Sequence, residues 1–307
     1  MRAVWYEEYG PPSVLRVGER DTPEPGVGQL RVRLLASALA QIDVKLRAGA
    51  LREHFALSLP KVPGRDGVGV VEAIGPGVAG WRLGDAVCVL AAPLDDGTSA
   101  SHIVCDATRV VPRPEALTLA QSAALLQPGV SAWAAVTTAA LQPGMRVLVH
   151  GGSGAVGALV LQHARALGVH TVATCRHDHL DHTLAQGADA VIAYDREGFD
   201  HLRGLDVVFD FVGGHTHARS YPLLRPGGTI VYLVAAPFED RGAAHGVKVV
   251  RAVVSDAPEA LRGVAHAARE GFYRPLVSHS VPLSEAAAAH AALENGQVQR
   301  GRIVFEH

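Results

Sequence analysis

The sequence predicts an α/β protein with two domains, one rich in β-strands and one built on a doubly wound parallel sheet. The chain has 307 residues, which is more than a single domain usually contains. Short apolar runs punctuated by Gly and Pro fill its first third, and strands then alternate with helices from about residue 145 to residue 254. Hydrophobic residues make up 48% of the chain, which is enough for two cores.

The first third has the pattern of a compact β-domain such as a distorted barrel. Leu30, Val32 and Leu34 alternate with two arginines, which is the period of a half-buried strand. Further apolar runs cover residues 68–74 and 86–90, and Gly-rich turns lie next to both. These features predict several short strands that pair with one another.

The second domain is predicted from repeated strand–helix pairs that follow a mainly helical stretch, residues 118–140. Its predicted strands are residues 145–150, 170–174, 190–193, 206–210, 228–233 and 247–254. Predicted helices at residues 155–167 and 180–186 lie between the first three strands. Because parallel strands need such crossovers, this alternation predicts a parallel sheet.

The last part of the chain combines two helices with one isolated strand. We predict helices at residues 257–270 and 284–293, with Ser284 as the N-cap of the second. Residues 302–305 form the predicted strand. A lone strand that follows a completed parallel sheet can return to the first domain and pair there.

A glycine-rich loop between the first strand and the first helix of the second domain predicts a dinucleotide site. Gly152, Gly154 and Gly157 fit G-x-G-x-x-G: the first allows a tight turn, the second lets a pyrophosphate approach, and the third lets helix and strand pack closely. The phosphates would bind the free N–H groups of the helix N-terminus. The alternative is a glycine-rich turn without a ligand. The predicted cofactor contacts are Gly152, Ser153, Gly154, Ala155, Val156 and Gly157.

The end of the second strand indicates which dinucleotide binds. NAD-binding domains carry Asp or Glu there to bind the ribose 2′-hydroxyl, whereas this strand ends in Thr174, Cys175 and Arg176. A guanidinium binds a 2′-phosphate bidentately, so Arg176 predicts NADPH, and Thr174 is predicted to contact it as well. Two alternatives remain: Asp178 serves as the acid if the strand ends later, or Arg176 is a solvated surface residue.

Eight short stretches follow one another in a specific order along essentially the whole chain. They are residues 42–49, 63–71, 84–87, 129–133, 151–157, 187–195, 224–228 and 301–304. In this order they resemble the medium-chain dehydrogenase/reductase superfamily, and most of all its zinc-independent quinone oxidoreductase (zeta-crystallin-like) branch.

The resemblance implies both a fold and an activity. The fold is a GroES-like β-barrel catalytic domain, residues 1–118 and 258–307, and a Rossmann dinucleotide-binding domain, residues 119–257, inserted between its parts. Ser131 and Tyr194 are expected to line the cofactor site. The implied activity is NADPH-dependent transfer of a hydride to a quinone. Two alternatives remain open: reduction of an enone or enoyl compound, and a non-catalytic NADPH-binding protein with a structural or regulatory role.

The resemblance also bears on metal and on the catalytic residues. Zinc-dependent relatives carry a Cys before the position of Asp43 and Gly-His-Glu near Gly64, but Arg65 stands at the histidine position here, so we predict no metal site. Asp43 and Lys45 are the predicted catalytic residues, because a desolvated lysine can donate a proton or bind a carbonyl oxygen. In the alternative interpretation, Asp43 is a structural hydrogen-bonding carboxylate and Lys45 is solvated. Ala40 replaces an asparagine that is common in the branch, which makes the substrate site atypical.

Composition excludes other classes of protein and suggests partners. The net charge of −2 argues against nucleic acid, and three distant cysteines exclude a disulfide framework. Without a signal peptide or an apolar run of spanning length, we expect a cytoplasmic protein with no membrane partner. Residues 247–254 form an apolar strand that relatives pair across a two-fold axis, so we predict a homodimer.

Overall fold

The computed structural model describes residues 1–233, 238–298 and 300–307. These residues divide into two compact units. Unit 1 comprises Met1–Gln127, Asp256–Gly271 and Pro275–His307, and unit 2 comprises Pro128–Ser255 and Phe272–Arg274. The boundaries expected after residues 118 and 257 differ from the observed divisions by nine and two residues, and the short segment Phe272–Arg274 joins unit 2.

The strands and helices are numbered in chain order. The strands are β1 (Arg2–Trp5), β2 (Arg16–Glu19), β3 (Gln29–Ala38), β4 (Asp66–Ile74), β5 (Ala86–Leu90), β6 (His102–Asp106), β7 (Val110–Pro112), β8 (Arg146–His150), β9 (His170–Cys175), β10 (Ala190–Ala193), β11 (Leu205–Asp210), β12 (Leu224–Tyr232), β13 (Lys248–Arg251), β14 (Val277–Pro282) and β15 (Arg302–Glu306). The helices are α1 (Gln41–Arg47), α2 (Leu119–Ala123), α3 (Leu126–Ala139), α4 (Ala155–Ala166), α5 (Leu180–Ala185), α6 (His215–Ser220), α7 (Gly242–His245), α8 (Pro258–Arg269) and α9 (Ala286–Glu294).

Unit 1 contains a two-stranded sheet, β1–β2, and a seven-stranded sheet in the order β14-β15-β3-β4-β5-β7, with β6 also paired to β3. The long strand β3 changes partner along its length, because its first half pairs with β6 and its last residues pair with β15. Leu30, Val32 and Leu34 of β3 are each at most 2% exposed, which confirms the predicted alternation. The antiparallel pairing of β15 with β3 confirms that the last strand returns to the first domain.

Unit 2 contains a six-stranded sheet in the order β10-β9-β8-β11-β12-β13, and every neighbouring pair is parallel. Numbered within the unit, this order is 3-2-1-4-5-6, which is that of a Rossmann domain. The order reverses between β8 and β11, so the ligand site of such a sheet is expected at their carboxyl ends. The predicted fold class, a GroES-like β-domain plus a doubly wound parallel sheet, is confirmed.

Three local predictions were less accurate. Ser284 is not an N-cap, because residues 283–285 form a separate turn of 3-10 helix and α9 begins after Glu285. The predicted strand at residues 247–254 is shorter, since β13 ends at Arg251 and Val253 is 79% exposed. The helical stretch at residues 118–140 is divided between α2 and α3. Among the described residues, no helix combines the length and the apolar character needed to cross a membrane.

Candidate functional site

The glycine-rich loop lies between β8 and α4, as the motif requires. The tight turn of this loop was predicted at Gly152, but it is formed by Gly151, which has a φ of +79°. Gly152 is needed for a different reason: a Cβ there would lie 2.8 Å from the Cβ of Ala173 in β9. Gly157 has the predicted packing role, because a Cβ at this position would lie 2.3 Å from the carbonyl oxygen of Gly151.

The N-terminus of α4 has the features of an anion site. Gly154 is the N-cap and offers no side-chain oxygen, and no acidic residue lies in the first turn. The N–H groups at the start of a helix have no carbonyl partner within the helix, and those of Ala155 and Val156 belong to this set. A Cβ at Gly154 would approach only the carbonyl oxygen of Gly151, at 3.3 Å, so the space before the helix is open. A pyrophosphate group fits this cradle.

Arg176 and Tyr194 follow the neighbouring strands β9 and β10. Arg176 is exposed directly after β9, so the strand ends where it was predicted, and Asp178 lies beyond it in a 3-10 turn. Tyr194 is 53% exposed, and its N–H donates to the carbonyl oxygen of Cys175 at 3.0 Å. The carboxylate of Asp195 accepts a hydrogen bond from the backbone N–H of His177 at 2.8 Å. The cation thus stands where an NAD-binding domain carries its acid.

Thr174 contacts the loop rather than open space. Its carbonyl oxygen accepts the N–H of Gly152 at 3.0 Å, and its hydroxyl oxygen lies 3.0 Å from Nδ1 of His150. Both side chains are buried, and burial lowers the pKa of His150 to about 4, so its ring is neutral. Thr174 therefore holds the loop through its carbonyl oxygen, and the residue is 3% exposed.

Two further predicted contacts have partners of their own. Ser153 Oγ lies 3.4 Å from Nδ1 of His179, which is buried. Ser131 is half-buried in α3 and has a partner within the chain.

Sequence reasoning missed a buried network at the end of β11. Asp210 accepts the N–H groups of Val212 and Gly213 at 3.0 and 2.8 Å, and its other oxygen lies 2.7 Å from Nδ1 of His217. Although burial opposes ionisation, the bonds from His217, Gly213 and Val212 lower the pKa of Asp210 below its ordinary value. The network fixes the loop after β11, next to the phosphate loop after β8. The sequence contains a pattern that indicates this network, because a buried strand that ends in Asp precedes two glycines and a histidine.

In unit 1, the structure does not bring Asp43 and Lys45 together. Asp43 is 2% exposed at the start of α1, where its Oδ2 accepts the N–H of Ala40 at 2.8 Å. Burial raises the pKa of this carboxyl to about 6. Lys45 is exposed. Residues two apart on a helix do not share a face, so these side chains cannot act as a pair.

Arg65 is held by hydrogen bonds at each of its three nitrogens. Nε donates to the carbonyl oxygen of Ala91 at 3.0 Å, Nη1 to Oε1 of Gln127 at 2.9 Å, and Nη2 to Oδ2 of Asp256 at 2.8 Å. The following residue, Asp66, forms an ion pair with Arg302. Within the described parts of the chain, no group of three His, Cys, Asp or Glu is arranged to bind a metal ion.

Comparison with known proteins gives two family matches. Residues 26–115 match the alcohol dehydrogenase GroES-like domain, and residues 186–305 match the family described as zinc-binding dehydrogenase. The 2-methylene-furan-3-one reductase of Solanum lycopersicum is 30% identical, over 99% of this chain and 79% of that protein. The quinone oxidoreductase of Mus musculus is 28% identical, over 99% of this chain and 97% of that protein.

Solved structures match over the full length of the chain. An NAD-dependent alcohol dehydrogenase has a TM-score of 0.91 at 28% identity, and the alignment covers 100% of both chains. A mycobacterial protein complexed with NADPH has a TM-score of 0.86, also at 28% identity and 100% coverage of both chains. A nicotinamide dinucleotide is therefore the common ligand of these neighbours, in either of its two forms.

Proposed function

The chain belongs to the medium-chain dehydrogenase/reductase superfamily, and from this premise we propose that it is an NADPH-dependent oxidoreductase that transfers a hydride to a quinone. The observation that carries the choice of cofactor is Arg176, an exposed guanidinium at the carboxyl end of β9 where NAD-binding domains carry an acid. The quinone oxidoreductases among the relatives support the choice of substrate.

The residues at the carboxyl ends of the unit 2 strands would hold the cofactor. The first-turn N–H groups of α4 and the backbone of Gly154 would bind the pyrophosphate, and Arg176 would bind the 2′-phosphate. Tyr194 and Ser131 would line the site. When bound, the dinucleotide supplies the hydride, and the protein contributes binding, orientation and the exclusion of competing reactions.

We further propose that the reaction needs no metal ion. Arg65 occupies the position at which zinc-dependent relatives carry a histidine ligand, and all three of its nitrogens already donate hydrogen bonds. A guanidinium stays protonated and cannot ligate a cation. Dialysis against a chelator should therefore leave the activity unchanged.

A second candidate function is the reduction of an enone. The observation that favours it is the similarity to a 2-methylene-furan-3-one reductase, which spans 99% of this chain. Quinones and enones share a conjugated carbonyl group that accepts a hydride and then a proton, so one site can serve either class.

The test is a panel of steady-state assays of NADPH oxidation. We expect turnover with 9,10-phenanthrenequinone, and turnover with 2-cyclohexen-1-one if the second function holds. The control is the same panel with cyclohexanone, which has a carbonyl group but no conjugated carbon–carbon double bond. Tight NADPH binding without turnover of any substrate in the panel would contradict an enzymatic function and favour a binding protein.

A further inference from the structure

Unit 1 buries one of the three lysines of the chain. Lys61 is 4% exposed, whereas Lys45 and Lys248 are exposed. No hydrogen bond or ion pair joins the ammonium of Lys61 to another residue that the structure describes, yet Nζ is not one of the fully buried polar atoms without a partner. The side chain is therefore buried while its ammonium is not fully enclosed, so a bound molecule can reach the ammonium.

A short antiparallel bridge holds Lys61 beside Tyr6. The N–H of Tyr6 donates to the carbonyl oxygen of Lys61 at 3.0 Å, and the N–H of Lys61 donates to that of Tyr6 at 2.9 Å. Residues directly opposite each other in such a pair project to the same face. Tyr6 is 1% exposed, and burial raises the pKa of its phenol, which therefore remains a hydrogen-bond donor. The two side chains therefore lie on the same face of the bridge, and each carries a hydrogen-bond donor.

Both donors line a small cavity whose other walls include Asp43 and Arg65. Its volume of about 10 Å³ is close to what one water molecule requires, so it admits a single oxygen atom and not a ring. The wall at Gly64 is tightly packed, because Gly64 has a φ of +101° and a Cβ there would lie 2.7 Å from Oγ1 of Thr98. Each nitrogen of Arg65 already donates one hydrogen bond, whereas the side chains of Lys61 and Tyr6 can offer their donors to an oxygen in this cavity.

The electrostatic surroundings make Lys61 a better acid than an ordinary lysine. Burial lowers its pKa, and the positive charge of Arg65 adds to this effect. The carboxylates of Asp96, Asp95 and Asp43 act in the opposite direction. A proton donor is most effective when its pKa lies near the working pH, so the net lowering favours proton transfer.

We propose that Lys61, assisted by the hydroxyl of Tyr6, binds the carbonyl oxygen of a conjugated carbonyl substrate and gives it a proton. The proposal rests on the proposed function, which supplies the hydride. It assigns the role to a different lysine from the predicted Lys45, which is exposed.

With an enone as substrate, hydride addition at carbon is followed by proton addition at oxygen. The β-carbon of the substrate accepts the hydride with its electron pair, the C=C pair moves to the bond between the α-carbon and the carbonyl carbon, and the C=O pair moves to the oxygen. An O–H bond forms as the N–H bond of Lys61 breaks, and the amine regains a proton from water. The dihydronicotinamide is the reductant and leaves oxidised, and the enol product converts to the saturated ketone.

Kinetics of Lys61→Met and Lys61→Arg test the proposal, with 2-cyclohexen-1-one or 9,10-phenanthrenequinone as substrate. We expect kcat to fall about 100-fold or more in both variants, with a smaller change in KM, because general acids contribute about 100- to 10,000-fold. Arginine keeps the charge but does not release its proton, so it should not restore kcat. The wild-type kcat should decline as the pH rises through the pKa of Lys61, and both variants should lack this decline. Lys248→Met, which removes an exposed lysine, is the matched control and should keep the wild-type rate and pH profile.

A second measurement does not depend on turnover. With lysine labelled by ¹³C at Cε, the protein gives signals from only three lysines, and the signal that Lys61→Arg lacks identifies Lys61. We expect this signal to titrate below the ordinary lysine pKa of about 10.4 and to shift when cyclohexanone is added with NADP⁺.

The two measurements separate the possible failures. An inactive wild-type enzyme would contradict the proposed function, whereas the response of the Lys61 signal to cyclohexanone would still test the site. A folded Lys61→Met variant with wild-type kcat and pH profile would overturn the assignment. A Lys61 signal that titrates at the ordinary value and ignores cyclohexanone would also overturn it.

Discussion

Replacing Gly154 with aspartate should remove dinucleotide binding without loss of stability. Gly154 has φ −76° and ψ 166°, a conformation open to any residue and typical of an N-cap. A new Cβ would approach only the carbonyl oxygen of Gly151, at 3.3 Å, so the side chain fits after a small adjustment. Its carboxylate would accept the first-turn N–H groups of α4, which are the groups that we assign to the pyrophosphate.

The expected effects on stability and on binding differ greatly. Aspartate and glycine differ as N-caps by only a few tenths of a kcal/mol, roughly, so the unfolding free energy should stay the same or rise slightly. A hydrogen bond to a charged group contributes about 1.5–3 kcal/mol, so displacing one bond to the phosphate costs about 10- to 100-fold in affinity. Repulsion between the carboxylate and the phosphates adds to this loss. We expect the dissociation constant of NADPH to rise about 100-fold or more.

The assay is titration of NADPH by fluorescence, together with thermal unfolding followed by circular dichroism. Gly154→Asn is the matched control, because asparagine caps the helix equally well but carries no charge. It should weaken binding less than aspartate does, because it also occupies the space before the helix and competes for a bond but does not repel the phosphates. A stable aspartate variant that binds NADPH with wild-type affinity would refute the assignment of the phosphates to this helix terminus.

Three other expectations concern the cofactor, pH and assembly. Arg176→Ala should lower the NADPH/NADH affinity ratio about 10- to 100-fold, and a ratio unchanged in titrations with both cofactors would contradict the role of Arg176. The carboxyl of Asp43 has its pKa raised to about 6 by burial, so its charging destabilises the folded state increasingly as the pH rises from about 4 to about 6. Asp43→Asn should therefore be more stable than the wild type by about 2–3 kcal/mol at pH 7 but not at pH 4. Denaturant unfolding of both proteins at both pH values measures this difference, and a difference in unfolding free energy that is the same at pH 4 and pH 7 would contradict the prediction. We propose that the edge strand β13 pairs with a second chain, so light scattering should give a mass of twice 32.2 kDa. Arg251→Pro should shift this mass toward that of a monomer, whereas Arg251→Ala should leave it unchanged.

The choice of Arg251 follows from the hydrogen bonds of β13. Ala252 donates its N–H to the carbonyl oxygen of Tyr232, and alternate residues of a strand direct their N–H groups to opposite sides. The N–H of Val250 therefore points toward β12, whereas the N–H of Arg251 points away from the sheet. Proline at Arg251 removes an outward donor and leaves the pairing with β12 intact. A wild-type chain that stays monomeric at micromolar concentration would rule out the dimer.

Features set by short stretches of sequence could be predicted well. Strands β8 and β11 are mostly buried apolar runs, and such runs are visible in the sequence alone. The phosphate loop could be predicted because its glycines are required by contacts within the loop itself, such as the close approach of Gly157 to Gly151. The return of β15 to β3 was also predicted, because a lone strand after a parallel sheet has few other partners.

Features set by contacts between distant residues could not be predicted in the same way. The packing of Gly152 on Ala173 depends on the position of β9, and the tight turn was predicted at Gly152 although Gly151 makes it. Ser284 has the residue type of an N-cap, but the chain makes a 3-10 turn there before α9 begins. Burial of His179 against Ser153 likewise depends on how the loop folds over the sheet.

The two lysines of unit 1 show why the proposed proton donor was hard to predict from the sequence. Lys45 and Lys61 are the same residue type, and Lys45 lies within residues 42–49, the matching family stretch that also contains Asp43. What separates them is solvation, because an exposed ammonium keeps its hydration and a buried one loses it. For Lys61 the solvation is determined by its pairing with Tyr6, which is 55 residues away in the sequence, and by walls contributed by Gly64 and Arg65. No pattern around residue 61 encodes that environment, so chemistry that depends on desolvation has to be assigned from the folded chain.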